Sequence, residues 1–192
     1  MKIFGLGLSR TGTTSLYLLM ESLGYSSRHF IDEWMNGTEA DVPQQVLIDT
    51  PVPYLYKALD EKYPGSKFIL TIRNKESWLE SMRWMFVHGK VIWNWPRSTQ
   101  EYNRKFYKTT RYNKKILSRH YDTYHKEVEL YFRDRPGDLL VVDIDKGVSV
   151  HEICDFLSIP RQEMAFPRTN ERRYASLTER IKYNFPRIFN PY

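Results

Sequence analysis

Gly7-Leu8-Ser9-Arg10-Thr11-Gly12-Thr13-Thr14-Ser15 stands between two segments of different periodicity, and its reading decides the fold. Before it, Lys2-Ile3-Phe4-Gly5-Leu6-Gly7 is a short apolar run of strand character. After it, Leu16, Leu19, Met20 and Leu23 recur at i, i+3, i+4 and i+7, one face of a helix that Gly24 stops. Strand, loop and helix in succession open a βαβ unit. Glycines let such a loop turn its N–H groups inward, and the helix N-terminus adds partial positive charge. With the hydroxyls of Thr13, Thr14 and Ser15, this makes a cradle for a tetrahedral oxyanion. Gly7 and Gly12 have the Gly-x4-Gly spacing of a nucleotide P-loop, yet Thr13 stands where that loop carries lysine. The cation has moved inside the loop, to Arg10. A kinase sets the lysine on its β- and γ-phosphates, so its absence argues against triphosphate chemistry.

Further along, Val46-Leu47-Ile48-Asp49 is a second apolar run, followed by Thr50-Pro51-Val52-Pro53, where prolines suit a helix start. Leu55, Ala58 and Leu59 give a brief helical stripe, closed by the turn Tyr63-Pro64-Gly65-Ser66. Residues 67–72 form the clearest strand. Asn74 caps a helix whose buried face is Trp78, Met82 and Met85. Residues 97–134 contain neither glycine nor proline and read as helix. Residues 139–142 are a fourth strand, and Ser149-Val150-His151-Glu152 has capping-box spacing ahead of Val150, Ile153, Cys154 and Leu157. Alternating strands and helices predict a three-layer α/β/α, P-loop-like fold with a parallel sheet of about four to five strands. The expected organisation is a single domain, 1–192, with a helical lid inserted at about 84–134.

Composition narrows the partners. Hydrophobic residues make up 41% and charged residues 27%, the balance of a globular chain. No apolar run approaches the ~20 residues of a membrane span, so no integral membrane segment is expected. The apolar N-terminal stretch is too short for a signal peptide and is interrupted by Arg10. The single cysteine, Cys154, excludes an internal disulfide framework and a Cys-rich zinc site, and a cytoplasmic location is expected. A net charge of +6 and pI near 9.3 favour an anionic partner. Residues 84–132 hold 12 of the 29 aromatics, among them Trp84, Trp93, Trp95, Tyr102, Phe106, Tyr107 and Tyr112. Eight basic residues fall between Arg97 and Arg119 against one acid, Glu101. Such a stretch reads either as an acceptor-choosing lid or as a packed helical pair with a solvated basic face.

A second constellation, Arg73-Asn74-Lys75-Glu76-Ser77-Trp78-Leu79-Glu80-Ser81, begins at the carboxyl end of a strand, where α/β sheets bind ligands. Ser77 and Ser81 are four apart and share a helix face, so Arg73 and a serine suit a second phosphate. Arg10-Thr11-Gly12-Thr13-Thr14 after the first strand, with Arg73 and Ser81 after a central one, resembles the sulfotransferases that use 3′-phosphoadenylyl sulfate (PAPS). The similarity extends to Asp49-Thr50-Pro51, to Pro64-Gly65-x-Lys67 through Arg73, and to Phe156-Leu157 with Phe166-Pro167-x-x-Asn170, covering about residues 2–90 and 138–170. It is strongest for the small bacterial-type branch with an Arg-Thr-Gly-Thr-Thr phosphosulfate loop.

The resemblance implies that Ser9, Arg10, Thr11, Gly12, Thr13, Thr14 and Ser15 hold the 5′-phosphosulfate. It implies that Arg73 and Ser81 hold the 3′-phosphate, and that Arg10 reaches the bridging oxygen and the sulfuryl group. Departures accompany it. The chain is short for the family, so its acceptor-side elements are expected to be reduced. The family's Lys-x-His-x-Pro reads Leu47-Ile48-Asp49-Thr50-Pro51, which puts Asp49 at the base position. The C-terminal Arg-Lys-Gly pattern is absent as such, leaving Arg168, Arg172 and Arg173 as substitutes. Asp49 reads either as general base or as a helix cap, and His88 either as a reserve base or as a surface histidine. His151 reads as solvent-facing, His120 and His125 as residues of a polar helical stretch without a role, and Asp143 as a strand end.

The expected reaction moves the sulfuryl group in line to a hydroxyl or amine of a small-molecule or glycan acceptor, releasing adenosine 3′,5′-bisphosphate without a metal. Nucleic acid is not an expected partner, and the sequence is silent on oligomeric state. The alternatives are a P-loop nucleotide or small-molecule kinase and a non-enzymatic binder of anionic surfaces built on 97–119.

Overall fold

The computed structural model describes residues 1–36, 40–92 and 94–168. The N-terminal half runs β1 (Ile3–Gly5), α1 (Thr13–Ser22), β2 (Ser27–His29), a 3₁₀ turn at Asp32–Asn36, β3 (Val46–Ile48) and α2 (Val52–Lys62). The chain continues through β4 (Lys67–Ile72), α3 (Lys75–Trp84), a π-helical turn at Met85–Gly89 and α4 (Lys90–Ile92). It then runs through α5 (Arg97–Lys105), α6 (Lys114–Phe132), β5 (Leu139–Asp143) and α7 (Val150–Leu157). The strands form one sheet in the order β2-β3-β1-β4-β5, and every neighbouring pair is parallel.

Side chains alternate across the central strand, and the two faces bury different sets. Phe4 packs with Leu47, Phe68 and residues of α2, α3 and α6, including Tyr56, Trp78, Tyr124 and Phe132. Ile3 faces the other way, with Ile48, Ile69, Val142 and the inner faces of α1 and α7: Leu16, Leu19, Met20, Ile153 and Cys154. This is the expected α/β architecture of a parallel sheet covered on both sides. The Phe68 and Phe132 rings lie 4.7 Å apart, and each such buried side chain contributes roughly 1.5–3 kcal/mol.

Helix ends follow local chemistry where the sequence signals it. The Asn74 and Ser149 side chains accept from Ser77 N and Glu152 N, capping α3 and α7. Two stretches depart from the sequence pattern. In α2, Tyr56 rather than Ala58 joins Leu59 on the buried face. Residues 97–134 are helical as a pair, with a break after Lys105, because Phe106 and Tyr107 turn into the core while Asn113 caps α6 through Ile116 N. Burial of two aromatics outweighs the helical preference of the polar residues around them.

From β1 the chain passes through α1 toward β2 and β3, whereas β4 and β5 lie on the opposite side of β1. The loop after β1 therefore opens where the connections diverge, the usual position of a ligand crevice in such sheets.

Candidate functional site

Loops after β1, β2, β3 and β4 converge at the carboxyl edge of the sheet. Arg10, Phe30 and Asp49 have φ of 75°, 67° and 71°, so the loops after β1, β2 and β3 each hold a non-glycine residue in the left-handed region. Strain of this kind persists where surrounding contacts over-determine it. The contacts here are numerous. Ser9 N donates to Tyr107 Oη (3.0 Å), Trp78 Nε1 donates to Ser9 O (3.0 Å), and Ser9 Oγ donates to Asp49 Oδ1 (3.1 Å). Arg73 Nη1 donates to Arg10 O at 3.2 Å. Thr11 gives its hydroxyl hydrogen to Leu8 O within the loop, and its oxygen meets the Thr71 hydroxyl on β4.

The glycines are sterically required. A Cβ on Gly7 would lie 1.9 Å from Thr71 Oγ1 and 2.6 Å from Thr11 Oγ1. Gly12, at φ 89°, opens α1 without any side-chain cap. The first N–H groups of a helix have no intrahelical partner, so the uncapped turn at Thr13–Thr14–Ser15 presents donors and positive dipole charge to an anion.

Two guanidinium groups lie between the loop and α3. Arg10 Nε donates to Ser81 Oγ at 3.0 Å, and its guanidinium lies 5.7 Å from the Trp84 ring centre. Ser81 is buried and keeps its own O–H to donate. Arg73 Nε donates to Ser77 Oγ (3.1 Å), and Tyr121 Oη donates to Arg73 O. Arg10 is thus joined to Ser81, and Arg73 to Ser77, around one helix α3.

Asp49, at the end of β3, is 8% exposed. Its Oδ1 accepts from Ser9 Oγ, Thr50 N (2.7 Å) and Thr50 Oγ1 (3.2 Å), and its Oδ2 from Thr13 Oγ1 (3.0 Å). His29 Nε2, at the end of the edge strand β2, lies 3.0 Å from Oδ2. Burial alone would raise this carboxyl, but the His29 charge and hydrogen bond, with Thr50 N–H and the Thr13 hydroxyl, outweigh it and hold Asp49 at about 2. The cap of α2 is Pro51 and no side chain caps that helix, so Asp49 does not do so.

His88 is exposed in the π-helical turn, its ring 6.4 Å from that of Trp84. His120 and His125 lie among packed rings, and burial holds His120 down at about 4 and lowers His125. The His120 ring packs edge-on to Phe106 and Tyr107. Arg168 is exposed, while Arg172, Arg173, Asn170 and Trp93 lie outside the described residues. Sequence reasoning missed His29, and it named Tyr107 only among the aromatics of the lid, not as a partner of Ser9. Tyr107 carries no local signal; His29 sits in a three-residue polar strand whose only signature is its pairing with β3.

A family model described as a sulfotransferase domain matches residues 2–47 and 43–175. "Ava biosynthesis cluster protein M" of Aspergillus versicolor is 34% identical over a stretch covering 43% of this chain and 42% of that protein, so the match spans under half of the relative's length. A crystal structure of a sulfotransferase from Alicyclobacillus acidocaldarius superposes with a TM-score of 0.51 and 14% identity, over 94% of this chain and 88% of that one. At that identity the likeness is one of fold.

Proposed function

Because the chain belongs to the sulfotransferase domain family, we propose that it moves the sulfuryl group of PAPS in line to a hydroxyl or amine of a small-molecule or glycan acceptor. The observation that carries this reading is the uncapped start of α1 behind a loop that carries Arg10 and whose Arg10 carbonyl is held by the Arg73 guanidinium. An anion of two linked groups fits such a site: one held by N–H groups, the other by fixed cations.

The sulfuryl group moves, like a phosphoryl group, with its charge on peripheral oxygens, so positioned donors supply most of the catalysis. In this reading Gly12, Thr13, Thr14 and Ser15 hold the phosphosulfate through the helix start, with Ser9 and Thr11 shaping the loop. Arg10 stabilises the charge that grows on the leaving phosphate, without a metal. Arg73 and Ser81 serve the 3′-phosphate, and Arg172 and Arg173 are proposed to complete it. The acceptor's proton leaves toward the Asp49–His29 pair. Residues of about 84–134 act as the helical lid of a single domain, choosing the acceptor. Among the described residues no helix is long and apolar enough to cross a membrane, and the buried free thiol of Cys154 suits a cytoplasmic enzyme.

Thermal unfolding with adenosine 3′,5′-bisphosphate, against Mg-ATP and 5′-AMP, tests the donor site. Ligand at about a hundred times its Kd adds ~2.7 kcal/mol, roughly 5–10 °C for a chain of this size. Stabilisation by Mg-ATP and not by the bisphosphate refutes the reading in favour of a kinase.

A further inference from the structure

The hydrogens around Asp49 can be counted. Thr13 has one hydroxyl hydrogen and gives it to Asp49 Oδ2 at 3.0 Å. At the 3.2 Å contact between Thr13 Oγ1 and His29 Nε2, the nitrogen is therefore the donor. The same N–H faces Asp49 Oδ2 at 3.0 Å. Neutral imidazole carries one N–H, so its lone pair is on Nδ1, which makes no hydrogen bond among the described residues. The His29 side chain is 25% exposed, and Thr13, which it touches, is the first residue of the helix start assigned above to the phosphosulfate.

We propose that His29 is the catalytic residue that takes the acceptor's proton, on Nδ1, and that Asp49 is its positioning partner; this rests on the transfer reaction proposed above. The acceptor oxygen forms its bond to sulfur as the bond from sulfur to the phosphate oxygen breaks, and that electron pair leaves with adenosine 3′,5′-bisphosphate. The hydroxyl proton passes to Nδ1, and the imidazolium formed is held at Nε2 by the Asp49 carboxylate before it returns the proton to water. Asp49 cannot serve as well itself. Both of its oxygens are already engaged by Ser9, Thr13, Thr50 and His29, which leaves neither turned to an acceptor hydroxyl. The titratable groups facing His29 are Asp49 from the end of β3 and Tyr17 from α1, whose ring lies 5.9 Å away.

The test uses the full chain with water as the acceptor, following single-turnover hydrolysis of PAPS to adenosine 3′,5′-bisphosphate and sulfate. His29→Gln keeps an N–H donor for Asp49 but has no basic nitrogen. It should bind the bisphosphate as wild type does by calorimetry, while hydrolysis falls about 100-fold or more. Its rate should also lose the pH dependence that protonation of the base gives wild type. Asp49→Asn should keep a smaller fraction of the loss and displace that pH dependence rather than abolish it. Nitrogen-15 NMR of wild type should report the Nε2–H tautomer for His29. An Nδ1–H tautomer overturns the assignment, as does a His29→Gln rate and pH profile like those of wild type, or wild-type hydrolysis no faster than that of the variant. Retained bisphosphate binding certifies that the variant is folded. If wild type itself does not bind the bisphosphate, it is the donor reading that falls, and this step with it.

Discussion

Replacing Asp49 by asparagine should cost stability in a way that depends on pH. The carboxyl titrates at about 2 in the folded chain against an ordinary value of 3.8, a difference of roughly two units and so about 2 kcal/mol. Its folded value is the lower one, so in the window between about 4 and 2 the unfolded chain binds the extra proton. The stabilisation is fully present above about pH 4 and is lost as pH falls through about 2. Asp49→Asn removes it and adds a constant offset, because an amide cannot accept from all of Ser9, Thr13, Thr50 and His29. At neutral pH the variant should therefore melt roughly 4–8 °C below wild type for the charge contribution alone. Urea and thermal unfolding of both chains, followed from about pH 7 to about pH 2, should show the gap narrowing by about 2 kcal/mol across that range. Other carboxylates of the chain titrate in both proteins and cancel. A gap of constant size from neutral to acid would refute the account, since it would leave no charge-assisted hydrogen bonding to lose.

Arg10→Ala should lower sulfuryl transfer by about 10²–10³-fold, the cost of removing one charge-stabilising donor, with little change in the thermal midpoint. An undiminished single-turnover rate would remove Arg10 from the transition state. Tyr107→Phe leaves the Ser9 N–H without its acceptor beside a buried ring. It should cost about 1–3 kcal/mol, read as a lowered urea midpoint at unchanged slope, and an unmoved midpoint would show that this contact does not brace the loop.

Much of this architecture was legible residue by residue. The loop from Gly7 to Ser15 announces itself because glycine spacing, hydroxyls and the apolar stripe of α1 are all local features. The same holds for Asn74 and Ser149, whose caps act over three residues. Where the reading failed, the deciding contact was distant. Ala58 and Tyr56 compete for the inner face of α2, and Tyr56 wins because the Tyr131 and Phe132 rings of α6 await it, with centroids at 5.3 and 6.3 Å. The break after Lys105 has no glycine or proline to mark it. Phe106 and Tyr107 are drawn inward by rings on other elements and by the Ser9 N–H, 98 residues away along the chain.

The sequence alone determined the alternation of strands and helices, the position of the anion-holding turn and the displacement of its cation to Arg10, because these depend on neighbours within a turn or two. Only the tertiary structure decided which side chains share the site. It joined Arg10 to Ser81 and Arg73 to Ser77, and set β2 beside β3 so that His29 meets Asp49 and Thr13. Those pairings are fixed by strand order and register, and a three-residue polar edge strand acquires both only from the partner it lies against.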